Sequence, residues 1–257
     1  MTPPLFLVPD LGTGATIELT GAEAHHAGTV KRLRVGESAL LADGRGGLAE
    51  ARVAALGKDR VSFTVEHRRQ VAQPTPRFTV VQALPKGERA ELAVEVLTEL
   101  GVDEIVPWSA ARSVSSWKQD RVSKGVAKWQ RTATEAAKQS RRAWIPQVAE
   151  LAGTEQVASR ISSAGLALVL DSDAAVPLAE LAGTAGFAGR HAGEPAAEPF
   201  AGVLLVVGPE GGITADELAR FQQAGAQLAR LGSPVLRTST AGAAALAVLS
   251  VAVGRWR

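Results

Sequence analysis

The sequence predicts an α/β domain with a mostly parallel sheet, preceded by a small β-barrel-like module. Up to about residue 72 the chain consists of short, partly alternating apolar segments separated by Gly or Asp-Gly, which is typical of short strands joined by turns. After the proline-containing stretch 69–77, strands alternate with helices, as in a parallel sheet. We therefore predict two domains, 1–72 and 73–257.

Each predicted element follows from local apolar spacing and its flanking turn residues. The predicted strands are 15–21, 38–47, 48–56, 60–69, 78–86, 102–108, 166–171, 202–208 and 226–231. The predicted helices are the start of 21–37, then 88–101, 123–142, 215–221 and 241–254, the last as a buried helix. Residues 183–200 are rich in Gly, Pro and Ala and predict a surface loop.

Composition excludes several classes of function. The absence of cysteine excludes disulfides, thiolate catalysis and cysteine-based zinc sites. The four histidines show no i, i+4 pairing and no acidic cluster has ligand spacing, so we predict no metal. The N-terminus does not resemble a signal peptide, and the apolar stretch 241–254 is shorter than the ~20 residues of a membrane span. We expect a cytoplasmic protein without a membrane partner.

Positive charge is concentrated in one short segment. Residues 112–145 contain nine basic and two acidic residues, a surplus of seven, whereas the whole chain has a net charge of +2. A local surplus of this kind is typical of proteins that bind phosphate backbones.

The stretch VVGPEGGIT (206–214) joins a strand to a helix through a glycine turn, which is typical of a ligand site. It lacks the lysine of a P-loop and the spacing of a dinucleotide-binding loop. The carboxylate of Glu210 disfavours a bound phosphate but tolerates a neutral or cationic ligand, such as an adenosine that carries a sulfonium. The alternative is an ordinary turn between a strand and a helix, in which the glycines only allow a tight backbone conformation.

A second turn lies in RLGSPVLRTSTAGAAALAVL (230–249). Here Leu231-Gly232 and an extended stretch precede a helix that is predicted to begin near Thr240 and to be capped by Thr238 or Ser239. Arg237 precedes the helix N-terminus, where the helix dipole disfavours a positive charge. This placement suggests that Arg237 serves a ligand or partner, the alternative being an ordinary surface arginine.

Together these two stretches resemble the bacterial small-subunit ribosomal RNA uridine-N3 methyltransferases, the RsmE family of the SPOUT superfamily. Three further blocks, in the order of the family, extend the resemblance over nearly the whole chain. They are GAEAHHAGTVKRLRVGE (21–37), TELGVDEIVPWSAARSV (98–114) and KWQRTATEAAKQSRRAWIPQV (128–148).

The resemblance implies a PUA-like N-terminal domain and a SPOUT-type C-terminal domain that contains a deep trefoil knot. It also implies S-adenosylmethionine as cofactor, held by strand ends and glycine turns. The cofactor-binding residues it implies are Leu170, Val207, Gly208, Glu210, Gly211, Gly212, Ile213, Leu231, Gly232, Val235, Leu236 and Arg237.

The reaction that the resemblance implies is methyl transfer to N3 of one uridine, at bacterial position 1498, in 16S rRNA of the small ribosomal subunit. Since N3 carries a proton at neutral pH, the enzyme must remove it or stabilise the anion. The candidate groups are Arg237, Arg112, Glu135, Gln139 and Arg142. We expect an arginine, Arg237 or Arg112 first, to stabilise the anion, and name Glu135 or a relayed water as the candidate base. An alternative of at least equal weight is that the negative charge of Glu135 only offsets the positive charges of a basic helix.

The basic segment then becomes the expected RNA surface. The candidate RNA-binding residues are Arg32, Arg34, Arg112, Lys128, Lys138, Arg141 and Arg142, with Lys124 and Arg131 as further phosphate contacts. Trp129 and Trp144 are candidates for base stacking, although tryptophan at such spacing more often packs in a core. The resemblance also implies a homodimer, for which the small-residue helix 241–254 is a candidate interface.

The chain departs from the family pattern at Ser239, which replaces a glutamate, and at Lys31 and Val96. These changes affect the identity of the base more than the expected activity. Two alternatives stay open: a related SPOUT methyltransferase that acts on tRNA or on a ribose hydroxyl, and a non-catalytic RNA-binding or ribosome-assembly factor.

Overall fold

The computed structural model describes residues 2–183 and 202–256, and its contacts divide the chain into two compact units. Unit 1 comprises Met1–Gln73 and Thr134–Ile145, and unit 2 comprises Pro74–Ala133 and Pro146–Arg257. The first break, after Gln73, lies one residue from the predicted boundary. Residues 134–145, however, pack with unit 1, although sequence reasoning placed them in the second domain. The division into domains 1–72 and 73–257 stays a prediction.

Unit 1 is rich in β-structure, as predicted. Its described strands are β1 (Leu5–Leu7), β2 (Thr16–Thr20), β3 (Ser38–Ala42), β4 (Gly47–Leu56) and β5 (Arg60–Gln70). They form one sheet in the order β1-β3-β4-β5-β2, in which β1 and β3 are parallel and the other pairs antiparallel. Helix α1 (Gly21–His25) continues into a π-helical turn (His26–Val30), so the predicted helical start of 21–37 is present.

Trp144 packs inside unit 1. Its indole Nε1 donates a hydrogen bond to the Val71 carbonyl at 3.0 Å. A Cβ at Gly46 would lie 2.7 Å from the ring, and Gly46 has φ +95°, so only glycine suits this position. These contacts fix the indole within unit 1, which favours the core interpretation of Trp144 over base stacking.

Unit 2 contains the predicted parallel sheet. Its described strands are β6 (Arg77–Ala83), β7 (Glu104–Trp108), β8 (Gln147–Val148), β9 (Leu166–Leu170), β10 (Gly202–Val207) and β11 (Gln227–Ala229). They lie in the order β11-β9-β10-β6-β7-β8, and every pair is parallel. The α/β class is confirmed, while the trefoil knot stays a prediction.

Helices cover both faces of this sheet, because alternate strand residues are apolar on each side. The described helices are α2 (Arg89–Glu99), α3 (Val122–Gln139), α4 (Thr154–Ser162), α5 (Leu178–Gly183), α6 (Ala215–Gln223) and α7 (Thr238–Ala252). Of α3, the residues up to Ala133 belong to unit 2. Val203, Leu205 and Val207 of β10 join one core with α2 and α7, whereas Leu204 and Val206 join the other with α4 and α6.

Helix α7 approaches the sheet closely at Gly242, where a Cβ would lie 3.1 Å from Val207 and from Leu97. The predicted burial of this helix holds for one face, since Leu246 and Leu249 are buried but Val251 is 63% exposed. No helix in the described part of the chain has the length and apolar character needed to cross a membrane.

Several predictions need correction or completion. Trp129 is only 1% exposed and belongs to the core of unit 2, so its core interpretation is confirmed and Trp129 is no longer a candidate for base stacking. Strands β1 and β8 and helices α4 and α5 were not predicted. Apart from Gly183, the predicted loop at 183–200 lies outside the described residues.

Candidate functional site

The predicted cofactor residues lie at the carboxyl-terminal edge of the parallel sheet. In the strand register Leu170 pairs with both Val207 and Ala229, so β9, β10 and β11 end side by side. The turn that begins at Gly208 follows β10, and the turn that contains Leu231 follows β11. This edge is where open parallel sheets bind their ligands.

The glycine turn after β10 has no room for side chains at two positions. A Cβ at Gly208 would lie 2.7 Å from Ile213 Cγ1, and a Cβ at Gly211 would lie 3.0 Å from the Arg112 carbonyl oxygen. Gly212 has φ +74° and open space beside it. Gly208 and Gly211 therefore allow the tight turn, and Gly212 leaves the backbone accessible, as in turns that approach a ligand closely.

The acid in this turn has a structural partner. The carboxylate of Glu210 accepts a hydrogen bond from the Lys86 backbone N–H at 3.2 Å. Lys86 follows β6, so Glu210 connects the turns after two neighbouring strands. The Arg112 guanidinium donates to the Gly211 carbonyl at 3.4 Å, which brings the turn after β7 to the same place.

The carboxylate of Glu217 joins three segments by hydrogen bonds, although the sequence did not single out this residue. It is buried and accepts hydrogen bonds from the Ala111 N–H at 2.9 Å, the Thr154 hydroxyl at 3.2 Å, and the N–H and hydroxyl of Thr214 at 3.0 and 2.8 Å. Burial by itself would raise the pKa of Glu217, but these hydrogen bonds outweigh it and lower the pKa below its usual value.

The sequence contained a signal for this residue. Thr214 and Glu217 form a capping box at the start of α6, in which the Glu217 N–H also donates to the Thr214 hydroxyl. What the pattern does not predict is the bond to Ala111, which holds the turn beside Arg112 against α6.

The turn after β11 leads directly into α7. Helix α7 begins at Thr238 with Arg237 as its N-cap residue and no capping side chain, so the predicted capping by Thr238 or Ser239 is wrong. Both of those residues are buried in the first helical turn. The amide of Gln82, inside β6, donates to the Thr238 carbonyl at 3.2 Å and anchors this helix start to the sheet.

Apolar side chains are exposed in the same turn. Val235 is 82% exposed and Leu236 is 40% exposed, while Arg237 beside them is also exposed. The side chain of Val207, in contrast, is buried against α7, so this residue can offer a ligand only its backbone. Leu231 is half-buried and packs on the core.

Two of the predicted polar residues are bound to each other within unit 1. The ammonium of Lys138 is buried and contacts Glu23 at 2.6 Å and Glu135 at 3.3 Å. Burial would lower the pKa of Lys138, but the two carboxylates outweigh it and raise the pKa. This geometry favours the balancing role of Glu135, and it turns the charge of Lys138 inward, away from an RNA phosphate.

The other predicted RNA-binding residues are at the surface. Arg32, Arg34, Arg112, Lys128 and Arg141 are exposed, and Arg142 is half-buried. Lys128 forms an ion pair with Glu91 at 2.7 Å. Arg32 and Arg141 have φ values of +52° and +55°, which are uncommon for residues other than glycine. Among the described residues no group of three His, Asp or Glu side chains is placed to hold a metal ion.

Comparisons with known proteins match both parts of the chain. A family model described as an RNA methyltransferase domain matches residues 72–250, and one described as an RNA methyltransferase PUA domain matches residues 19–66. The ribosomal RNA small subunit methyltransferase E of Mycobacterium bovis is 44% identical over 98% of this chain and 93% of its own length. That of Bacillus subtilis is 30% identical over 91% of this chain and 90% of its own length.

Solved structures agree with this match. The crystal structure of a ribosomal RNA small subunit methyltransferase E from Neisseria gonorrhoeae, bound to S-adenosyl methionine, is 28% identical with a TM-score of 0.82, covering 97% of this chain and 98% of that one. A Legionella pneumophila protein in complex with the cofactor SAM is 26% identical with a TM-score of 0.79, covering 98% of each chain.

Proposed function

We propose that this chain, which belongs to the ribosomal RNA small subunit methyltransferase E family, transfers a methyl group from S-adenosylmethionine to N3 of a specific uridine in 16S rRNA. One observation carries the proposal. In a chain related to this family over nearly its whole length, the two glycine turns follow strands that end side by side at the carboxyl edge of the parallel sheet.

The residues of this edge fit the cofactor. Gly212 leaves the backbone open, and Val235 and Leu236 offer exposed apolar surface for an adenine ring. Glu210 brings a negative charge, which suits a sulfonium better than a phosphate. S-adenosylmethionine would supply a methyl group on a positively charged sulfur. The proposed cofactor-binding residues remain those of the sequence analysis, with Val207 acting through its backbone.

Uracil N3 must lose its proton before it becomes a good nucleophile, and the negative charge then spreads to O2 and O4. We assign Arg237 and Arg112 to these oxygens, because both guanidinium groups are exposed on turns of this edge. Glu135 remains a candidate base, although its contact with Lys138 supports a structural role.

We propose that basic residues on each of the two units, taken separately, contact the RNA backbone. These residues are Arg32, Arg34, Arg141 and Arg142 in unit 1, and Arg112 and Lys128 in unit 2. We leave Lys138 out, since its ammonium is buried and paired. We also propose a homodimer that uses the outer face of α7, where Val251 is exposed. A cytoplasmic location and the absence of a resident metal or membrane partner remain part of the proposal.

The test is a methyl-transfer reaction with labelled S-adenosylmethionine and small ribosomal subunits from a strain that lacks the modification. The product nucleoside is identified by mass spectrometry. N3-methyluridine supports the proposal. A ribose-methylated nucleoside, or activity on tRNA, would assign the chain to a related SPOUT reaction. No transfer, in a protein that binds the subunits, would favour an assembly factor and draw attention to Ser239, where the family pattern has glutamate.

A further inference from the structure

A cavity of unit 2 lies at the start of helix α3, and no residue of the two glycine turns lines it. Its volume is about 480 Å³, within the range of sites that hold small organic ligands. We call it the Trp117 pocket, and it is lined by Trp117, Asp120, Arg121, Lys124, Gly125 and Lys128. The residues assigned above to the cofactor and to methyl transfer do not line it.

The indole of Trp117 is held as a fixed platform. A Cβ at Gly125 would lie 2.6 Å from the ring, so the absence of a side chain there lets the indole lie directly on the helix. The buried ring of Trp129 meets it edge-on, with ring centroids 5.3 Å apart. Trp117 itself is half-buried, which leaves part of its surface to the cavity.

Basic side chains surround this platform. Lys124 and Lys128 are four residues apart in α3, which places them on one side of the helix, and Arg121 lies in the 3-10 turn Gln119–Arg121 just before it. All three are exposed, and Lys128 also contacts Glu91 at 2.7 Å. Asp120 is the acidic residue in the lining, so basic residues outnumber acidic ones by three to one.

We infer that the Trp117 pocket binds one unpaired nucleotide of the RNA substrate, with its base on the indole and its phosphate on Arg121 and Lys124. An aromatic face beside a basic groove is the combination with which proteins bind single-stranded RNA. The inference rests on the proposed function, because it takes RNA to be the substrate. It takes the place of base stacking on the candidates Trp129, which is buried in unit 2, and Trp144, which is half-buried in unit 1.

The test measures binding of a fluorescein-labelled oligouridylate by fluorescence anisotropy, over a series of salt concentrations. Trp117→Leu should weaken binding about fivefold to a hundredfold, the usual effect of removing one stacked base contact, whereas Trp117→Phe should stay near wild type. Lys124→Gln should lower the salt dependence by somewhat less than one counterion. Lys118→Gln, a lysine of the same segment outside the pocket, is the matched control.

Thermal unfolding of each variant separates a loss of binding from a loss of fold. If Trp117→Leu does not fold, the comparison of Lys124→Gln with Lys118→Gln decides instead. Equal binding by folded Trp117→Leu and wild type, or equal salt dependence of the two lysine variants, would overturn the pocket. The proposed function fails separately, if wild type transfers no methyl group to small subunits in the assay above.

Discussion

Replacing Glu217 by glutamine tests how the candidate site is held together. The carboxylate receives two hydrogen bonds on each oxygen: from Ala111 and Thr154 on one, and from the N–H and hydroxyl of Thr214 on the other. Glutamine has the same shape but one acceptor oxygen, and its amide group is a donor. Whichever way the amide turns, one backbone N–H faces another donor.

The size of the effect follows from these contacts. A threonine hydroxyl can rotate to accept from the amide, but the backbone N–H of Ala111 or Thr214 cannot. A buried unsatisfied donor costs about 1–3 kcal/mol, and the remaining bonds lose the extra strength that a charged acceptor gives. We therefore expect Glu217→Gln to lower the free energy of unfolding by about 2–4 kcal/mol at pH 7.

The pH dependence gives an independent check. Because the hydrogen bonds lower the pKa of Glu217 in the folded protein, its contribution is complete above the usual glutamate pKa near 4.5 and disappears as the pH falls through the lower folded value. Glutamine does not titrate. The difference in stability between wild type and Glu217→Gln should therefore shrink on acidification.

The assay is urea unfolding at pH 7 and pH 4, with Asp216→Asn as control. Asp216 is an exposed acid in the same helical turn, so its substitution should cost less than about 1 kcal/mol. A Glu217→Gln protein as stable as the Asp216→Asn control at pH 7 would refute the reasoning, as would a difference that grows when the pH falls.

Three further variants test other parts of the structure. Arg255→Met removes the cation that pairs with the buried Asp103 carboxylate at 2.5 Å, so urea unfolding should show a loss of about 3–5 kcal/mol; a loss below about 1 kcal/mol would contradict this. Lys138→Met removes the cation that contacts Glu23 and should lower the free energy of unfolding at pH 7. Because the pKa of Lys138 is raised in the folded protein, the stabilisation by its charge is complete below the usual pKa of 10.5 and disappears only as the pH rises above that value. Equal stability of this variant and wild type at pH 7 would refute that account. Gly211→Val places carbon atoms against the turn after β7 and should weaken S-adenosylmethionine binding about tenfold or more by calorimetry; unchanged affinity would place the cofactor elsewhere.

Most of the fold could be predicted because its signals are local. The apolar runs and glycine turns of unit 2 predicted its longer strands and helices α2, α3, α6 and α7. Strand β8 (Gln147–Val148) has two residues, too few for any alternation, and exists because it pairs with β7. Helix α4 (Thr154–Ser162) did carry a signal, since its buried residues 157, 158 and 161 have helical spacing.

Side-chain roles were less predictable, because they depend on partners far away in sequence. Lys138 reads as one more cation of a basic helix, but Glu23, 115 residues earlier, turns it into a buried structural charge. Likewise, nothing local separates Trp117 from Trp129. Packing places Trp129 in the core, while Gly125 lets Trp117 lie against the helix at the edge of a cavity.

The most direct test of the central claim is primer extension along 16S rRNA after small subunits have been incubated with the protein. A methyl group on uridine N3 removes the proton that forms the base pair, so reverse transcriptase stops beside it. We predict one new stop, next to a single uridine, that requires both the protein and S-adenosylmethionine. Methyl incorporation without such a stop, or a stop beside another nucleotide, would contradict the assignment.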